Sequence, residues 1–335
     1  MPISQQNSTL PKIVVILGPT ASGKTSLGVK LATEFNGEII SADSRQVYRG
    51  MDVGTGKDLA EYGNIPYHMI DVADPKEVFD LAQYKKQAEE AISDILDRGK
   101  LPIIVGGSGL YLQALVDNYQ LSTVKPDVDL RADLETKTLE ELQDILESKN
   151  KTFFDKLNNS DRNNKRRLVR YIEVSTSDPL PTSPLLRGRS NAPSPYQGGG
   201  WGGVSSSSNN KKYDTIIIGL TWPKEVLAER IERRLKERLD KEDMVEEVKG
   251  LHDLGVTWER LESFGLEYKF ISQYLQEKIS YETMFAKINL ASNQFAKRQL
   301  TWFKRWERGG KEIVWENDYN EVREKVEEFI EPASS

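Results

Sequence analysis

Short apolar runs bounded by glycine, proline or charge recur along the chain: Ile13 to Leu17, Glu38 to Ser41, Leu101 to Val105 and Tyr213 to Leu220. They do not alternate between apolar and polar positions, so they predict strands buried on both faces, as in a parallel sheet covered by helices. Between them the apolar positions fall at helical spacing. Leu81, Tyr84, Ala88, Ile92, Ile95 and Leu96 predict a helix over 80–98, with Gly99 and Pro102 as stop signals. Leu227, Ile231, Leu235 and Leu239 predict a long helix opened by Pro223. A further strand is expected over Tyr67 to Val72, stopped by Asp74-Pro75, and a loop over the glycine-rich stretch from Gly50 to Gly63. The alternation of strands and helices predicts an α/β fold.

The pattern changes three times. Residues 11–120 read as the first part of the α/β core. Residues 121–174 read as an inserted small helical domain, with an apolar stripe of Leu134, Leu139, Leu142, Ile145 and Leu146 in one charged helical stretch from Arg131 to Lys156. Residues 175–212 hold five prolines, three consecutive glycines and four consecutive serines, which predicts a disordered low-complexity insert. Residues 213–335 return to a core strand and then to a helical C-terminal region, broken at Phe264-Gly265-Leu266-Glu267-Tyr268.

Candidate chemistry begins where the first strand ends. Gly18-Pro19-Thr20-Ala21-Ser22-Gly23-Lys24-Thr25 is a G-x-x-x-x-G-K-[ST] phosphate loop between a strand pattern and a helix of about ten residues. Its glycines let backbone N–H groups face phosphate oxygens, Lys24 adds a charge, and the Thr25 hydroxyl can ligate Mg²⁺. The motif places the chain in the P-loop NTPase-like, nucleotide-kinase-like class. Asp43 follows the second strand, so it is expected in the same crevice, beyond the carboxyl ends of the strands; an Asp-Ser pair also suits a turn or a cap. The strand at Leu101 to Val105 runs into Gly106-Gly107-Ser108-Gly109, where glycines permit close approach of a ligand to the backbone, and it lacks the aspartate that a nucleotide hydrolase uses to hold Mg²⁺. Arg230 and Arg234, one helical turn apart, can present two guanidinium groups to a phosphate, although Glu229, Glu232 and Glu237 can also neutralise them.

Charge and composition narrow the partners. The formal charge of −6 gives no globally basic character, but Arg162, Lys165, Arg166, Arg167 and Arg170 form a local run without an acidic residue, which suits phosphate-backbone contact. Lys297 to Trp306 mixes bases with aromatics, a pattern that suits RNA, while Trp302 and Trp306 also have the spacing of core residues. There is no cysteine and there are two histidines, so disulfides and thiolate metal sites are excluded and a reducing, cytoplasmic setting fits. His68 reads as structural, since no carboxylate partner is apparent near it in sequence. No run has the length of a membrane span. Nothing in the chain calls for more than a monomer.

Taken together, the phosphate loop, Asp43-Ser44-Arg45-Gln46-Val47-Tyr48, Gly54-Thr55-Gly56-Lys57, Gly106 to Tyr111, Arg167 to Val174, Gly265 to Tyr268 and Ala296 to Trp302 resemble the tRNA dimethylallyltransferases of the bacterial type, from about residue 11 to about residue 316. The resemblance implies transfer of a dimethylallyl group from its diphosphate to N6 of the adenosine 3′ of the anticodon, in tRNAs reading U-initial codons. It implies Mg²⁺ as cofactor, Asp43, Lys24 and Thr25 as catalytic residues, and the loop from Gly18 to Thr25 with Arg230 and Arg234 as the diphosphate site. For tRNA it implies Asp43, Ser44, Arg45, Gln46, Ser108, Arg166, Arg167, Leu168, Val169, Arg170, Phe264, Gly265, Tyr268, Lys297 and Arg298. Three positions depart from the family pattern: Ser108 stands for a usual Thr, Asn293 for a usual Arg, and Glu277 for a usual Gly.

Other readings of the same scaffold are an adenylate isopentenyltransferase or nucleotide kinase acting on a mononucleotide, and a nucleotide-binding regulatory protein. The helical insertion and its arginines favour RNA, because a mononucleotide site needs neither. A regulatory protein would need a base-specificity motif that the chain does not display.

Overall fold

The computed structural model describes residues 10–119, 121, 124, 127–177 and 211–331. These fall into two compact units, one of residues 10–79, 83–116 and 212–331, the other of residues 80–82 and of the described residues between 117 and 211.

The first unit is built on a parallel sheet. Its strands are β1 (Lys12–Leu17), β2 (Gly37–Ala42), β3 (Tyr67–His68), β4 (Leu101–Gly106), β5 (Asp214–Gly219) and β6 (Val314–Trp315). They lie in the order β3-β2-β4-β1-β5-β6. All pairings are parallel, with Val14 opposite Ile103 and Ile216, and Ile39 opposite Ile103 and Tyr67. This is the P-loop-like α/β sheet that the sequence pattern predicts. Every residue of β2 is buried, and so is every residue of β1 after Lys12, which is why these strands read as unbroken apolar runs. Helix α1 (Lys24–Glu34) lies on the sheet through Leu27, Leu31 and Ala32, which join Val14, Ile16, Ile39, Ile103 and Val105 in one core. Burying each such leucine or isoleucine contributes about 1.5–3 kcal/mol.

The chain leaves β1 through α1 toward β2 and leaves β4 toward β5, in opposite directions along the sheet. A crevice therefore opens between the carboxyl ends of the adjacent strands β1 and β4, which is where this class of sheet binds ligands.

Several boundaries differ from the sequence expectation. The strand expected over 67–72 stops at His68, because Met69 and Asp71 take left-handed backbone conformations, φ 63° and 58°. His68 does have a carboxylate partner: Glu38, buried at the start of β2, lies 2.8 Å from its Nε2 and also binds Arg98 and Lys100. Thirty residues of separation hide that pair in the sequence, and strand pairing brings it together at the sheet edge opposite the phosphate loop. Helix α2 (Leu81–Asp97) follows the expected span, and α3 (Gly109–Val116) follows β4 directly.

The second unit is helical. The helical stretch expected from Arg131 to Lys156 is made of three helices, α4 (Val128–Thr136), α5 (Leu139–Lys149) and α6 (Lys151–Asp155). Asp127, Thr138 and Asn150 cap their N-termini, and Thr138 with Glu141 forms a full capping box. α7 (Asn159–Arg162) and α8 (Lys165–Ser177) complete it. Leu134, Leu142, Leu146, Phe153, Phe154, Leu168, Val169 and Ile172 form its core. Of the insert expected over 175–212, residues 175–177 belong to α8, and 178–210 lie outside the described residues.

After β5, the first unit continues with α9 (Lys224–Lys241), α10 (Met244–Asp253), α11 (Trp258–Ser263), α12 (Leu266–Leu275), the 28-residue α13 (Tyr281–Arg308) and, beyond β6, α14 (Tyr319–Ile330). Gly265, at φ 74°, makes the expected break between α11 and α12.

Candidate active site

The phosphate loop joins β1 to α1. Ala21 and Gly23 both have positive φ, 61° and 93°. That turns the backbone into a concave nest of N–H groups at the start of a helix. A non-glycine residue in the left-handed region is strained, and here the strain sits in the candidate phosphate loop. The loop's carbonyls are held from outside: Trp222 Nε1 donates to Ser22 O at 3.0 Å, and Arg230 Nε donates to Ala21 O at 2.7 Å. The Arg230 guanidinium also stacks over the Trp222 ring. With the carbonyls occupied, the amides of Ala21, Gly23, Lys24 and Thr25 carry no protein hydrogen bond among the described residues.

Helix α9 supplies three arginines at intervals of one turn. Arg230 braces the loop, Arg234 Nη2 donates to Thr20 Oγ1 at 3.3 Å, and buried Arg238 binds both oxygens of Asp58 at 2.9 and 3.2 Å. Arg238 continues the i, i+4 spacing of Arg230 and Arg234. The acidic neighbours Glu229, Glu232 and Glu237 do not bind these arginines in any described ion pair. Lys24 lies among these cations. Burial, and then Arg234, lowers its ammonium to about 8, against partial relief from Asp43 and Asp58. Burial, and then Arg238, lowers Arg234 to about 10. Cations that depress one another in this way suit a multiply charged anion, which would relieve their repulsion.

At the end of β2, Asp43 Oδ1 accepts the backbone N–H of Arg45 at 2.9 Å. The turn reading and the site reading of Asp43 thus coexist, because Oδ2 takes no part in that bond. Ser108, at the end of β4, ties the two strand ends: its Oγ accepts the Ser44 N–H at 3.0 Å and its N–H donates to Ala42 O. Gln46 is fixed at both ends of its amide, accepting from Ser41 Oγ at 2.8 Å and donating to Gly56 O at 2.9 Å. Arg45 is paired with Glu267 at 2.6 Å.

The loop Gly54-Thr55-Gly56-Lys57 is shaped by contacts that the sequence did not display. Lys57 is fully buried against Asp52, Asp71 and the Tyr48 carbonyl. Glu247 of α10 accepts the N–H groups of Asp52, Val53 and Gly54 at 2.7, 2.6 and 3.1 Å, and the Tyr268 hydroxyl at 2.6 Å. Tyr268 and Phe264 are buried, Phe264 packing on Tyr48 at 5.0 Å between ring centres, and Gly265 is the break between their helices.

The glycines after β4 admit protein side chains. A Cβ at residue 107 would collide with Gln299, and one at 109 would collide with the Trp302 ring. Trp302 and Trp306 of α13 accordingly pack inward, Trp302 donating to Gln113 at 3.1 Å and Trp306 being buried. On the same helix Lys297 is exposed and Arg298 partly so.

In the second unit the basic run divides. Leu168 and Val169 lie in the core, and Arg167 and Arg170 are buried against Asp161 and Glu173. Arg170 also donates to Val124 O at 2.8 Å, while Arg162 donates to Phe154 O and stacks over its ring. Arg166 alone of residues 166–170 is exposed. The partners, Asp161 before the run and Glu173 after it, escaped a reading confined to the basic stretch itself.

For Mg²⁺ the chain offers the Thr25 hydroxyl and, at the β2 end, Asp43. No cluster of three or more His, Cys, Asp or Glu able to hold a metal occurs among the described residues. That donor set fits a hard cation that takes most of its ligands from phosphate and water, as Mg²⁺ does. No described helix is long and apolar enough to cross a membrane.

Comparison with known proteins gives consistent matches. The family model described as IPP transferase matches residues 46–306. The tRNA dimethylallyltransferase 1 of Geotalea daltonii is 44% identical over 303 residues, covering 90% of each chain. The tRNA dimethylallyltransferase 2 of Treponema denticola is 46% identical over 303 residues, 90% of this chain and 94% of that one. Among solved structures, the full-length tRNA isopentenylpyrophosphate transferase of Bacillus halodurans superposes with a TM-score of 0.64 at 32% identity, covering 95% of both chains. A eukaryotic dimethylallyltransferase described as acting on tRNA gives a TM-score of 0.73 at 26% identity, over 92% of this chain and 75% of that one.

Proposed function

The chain belongs to the IPP transferase family, and from that premise we propose that it transfers a dimethylallyl group from dimethylallyl diphosphate to N6 of the adenosine 3′ of the anticodon in tRNA. The carrying observation is the pairing of an anion nest at the end of β1 with a carboxylate at the end of β2. Strand β4 lies between them, so the two ends are two strand spacings, about 10 Å, apart. That leaves room for the isoprenoid and the adenine between leaving group and proton acceptor. β4 itself ends in glycine without the carboxylate of a hydrolase.

In the reaction N6 attacks C1 of the dimethylallyl group, the C1–O bond breaks, and its electron pair leaves on diphosphate. The amides of Ala21, Gly23, Lys24 and Thr25, with Lys24 and Arg234, strengthen their hold as that charge develops. Mg²⁺, held by Thr25 and the diphosphate oxygens, would add charge neutralisation there. Asp43 Oδ2 takes the N6 proton as the C–N bond forms. An anticodon loop lets the adenosine leave its stack cheaply. Ser44, Gln46 and Ser108 would frame it, their orientations set by the bonds described above. Lys297, Arg298 and Arg166 would contact the RNA backbone; Phe264 and Tyr268 would shape the loop wall from behind.

Labelled dimethylallyl diphosphate incubated with unmodified tRNA or with AMP tests this reading. Product on tRNA alone supports it. Product on AMP alone would make the protein an adenylate isopentenyltransferase, and product on neither would return it to the kinase or regulatory readings.

A further inference from the structure

We propose that Gln299 is a positioning residue for the phosphate loop, clamping it to the end of the neighbouring strand so that its remaining amides meet diphosphate. Gln299 is buried in the middle of α13, 279 residues from the loop in sequence. Its Oε1 accepts the Thr20 N–H at 2.9 Å, and its Nε2 donates to the Gly107 carbonyl at 3.0 Å. One side chain thus joins the loop after β1 to the residue after β4, across the crevice between those strands.

The chemistry of the clamp requires an amide. Thr20 offers a donor and Gly107 an acceptor, and the amide's paired oxygen and NH₂ satisfy both at once. A carboxylate would face the Gly107 oxygen with like polarity, and an apolar side chain would take this partner from the buried Gly107 carbonyl and from the part-buried Thr20 N–H. Gly107 has to be glycine for the same reason, because a Cβ there would occupy the position of the Gln299 amide.

The clamp also sorts the loop's donors. Pro19 has no N–H, and the Ser22 N–H donates to Pro19 O at 3.3 Å. Thr20 is held on both sides, its backbone by Gln299 and its hydroxyl by Arg234. A freed Thr20 amide would let that segment of the loop rotate, and the nest at Ala21 and Gly23 depends on backbone angles one and three residues further on.

This role presupposes the diphosphate reading but not the RNA reading, so its test uses inorganic diphosphate with Mg²⁺ and the full chain, without tRNA. Calorimetric titration of Gln299→Met is expected to show affinity about ten- to thirtyfold weaker than the wild type. The KM for dimethylallyl diphosphate should rise by a similar factor, and the KM for tRNA should stay unchanged. Trp302→Phe, which removes the Gln113 bond from the same helix, controls for loosened packing: it is expected to lower the melting temperature and leave diphosphate affinity intact. Gln299→Leu removes both bonds without adding charge, and provides a second variant with the same expected weakening. Wild-type affinity in Gln299→Met, or an equal loss in Trp302→Phe, would overturn the positioning role while the diphosphate site stands. A wild-type protein that does not bind diphosphate would overturn both.

Discussion

The Lys24 ammonium lies 3.2 Å from the carbonyl oxygen of Pro19, folded back onto its own loop. Its charge is opposed by burial and by Arg234, so it titrates at about 8 instead of 10.5. A bound diphosphate favours the charged form. Affinity for inorganic diphosphate should therefore be steady below pH 8 and fall above it, approaching tenfold per pH unit. Over the same interval the unfolded chain binds more protons at this site than the folded one, so stability of the unliganded protein should rise between pH 8 and 10.5. Titrations and melts from pH 7 to 10 check both slopes, and Lys24→Met should flatten both.

Asp43→Asn keeps the oxygen that accepts the Arg45 N–H and removes only the basic one. The turn at the end of β2 should survive, with tRNA affinity near that of the wild type. Turnover should fall about 10²- to 10⁴-fold, the usual contribution of a positioned base. Single-turnover transfer measured at saturating substrates decides it: a near-normal rate would remove Asp43 as proton acceptor.

The two arginines 166 and 167 should behave differently despite being neighbours. Arg167 is buried against Asp161, so Arg167→Ala leaves that carboxylate with Asn158 as its described side-chain partner and should destabilise the helical unit by about 1–3 kcal/mol. Arg166 is exposed, so Arg166→Ala should leave melting unchanged and reduce the salt dependence of tRNA binding by about one contact. Thermal melts and binding at several salt concentrations separate the two; an unchanged slope in Arg166→Ala would take it out of the interface.

What the sequence made legible follows from locality. The phosphate loop, the apolar strands and the i, i+4 arginines of α9 are each encoded within a few residues, and periodicity exposes them. Gln299, Glu247 and the Glu38–His68 pair are encoded by strand order and helix packing, which bring together residues 30 to 279 positions apart. The glycines after β4 show the difference. Composition marks them as places of close approach, but only the packing of α13 reveals that the approaching groups are Gln299 and Trp302.

Glu277 offers a test of a helix cap built without glycine. It follows the C-terminus of α12 at φ 58°, with its own N–H on Tyr274 O at 2.9 Å and the Lys278 N–H on Gln273 O at 2.9 Å. Those two bonds form a Schellman motif, whose left-handed residue is ordinarily glycine. A glutamate there carries the steric cost of its Cβ, about 1 kcal/mol, and its exposed side chain makes no described ion pair that would offset it. Glu277→Gly should therefore raise stability by a few tenths of a kcal/mol, the left-handed strain of about 1 kcal/mol less the ~0.4–1 kcal/mol that glycine's extra freedom gives the unfolded chain. Urea unfolding with an unchanged m-value and a higher midpoint would show it. A midpoint at or below that of the wild type would mean that the glutamate is held by an interaction outside this cap.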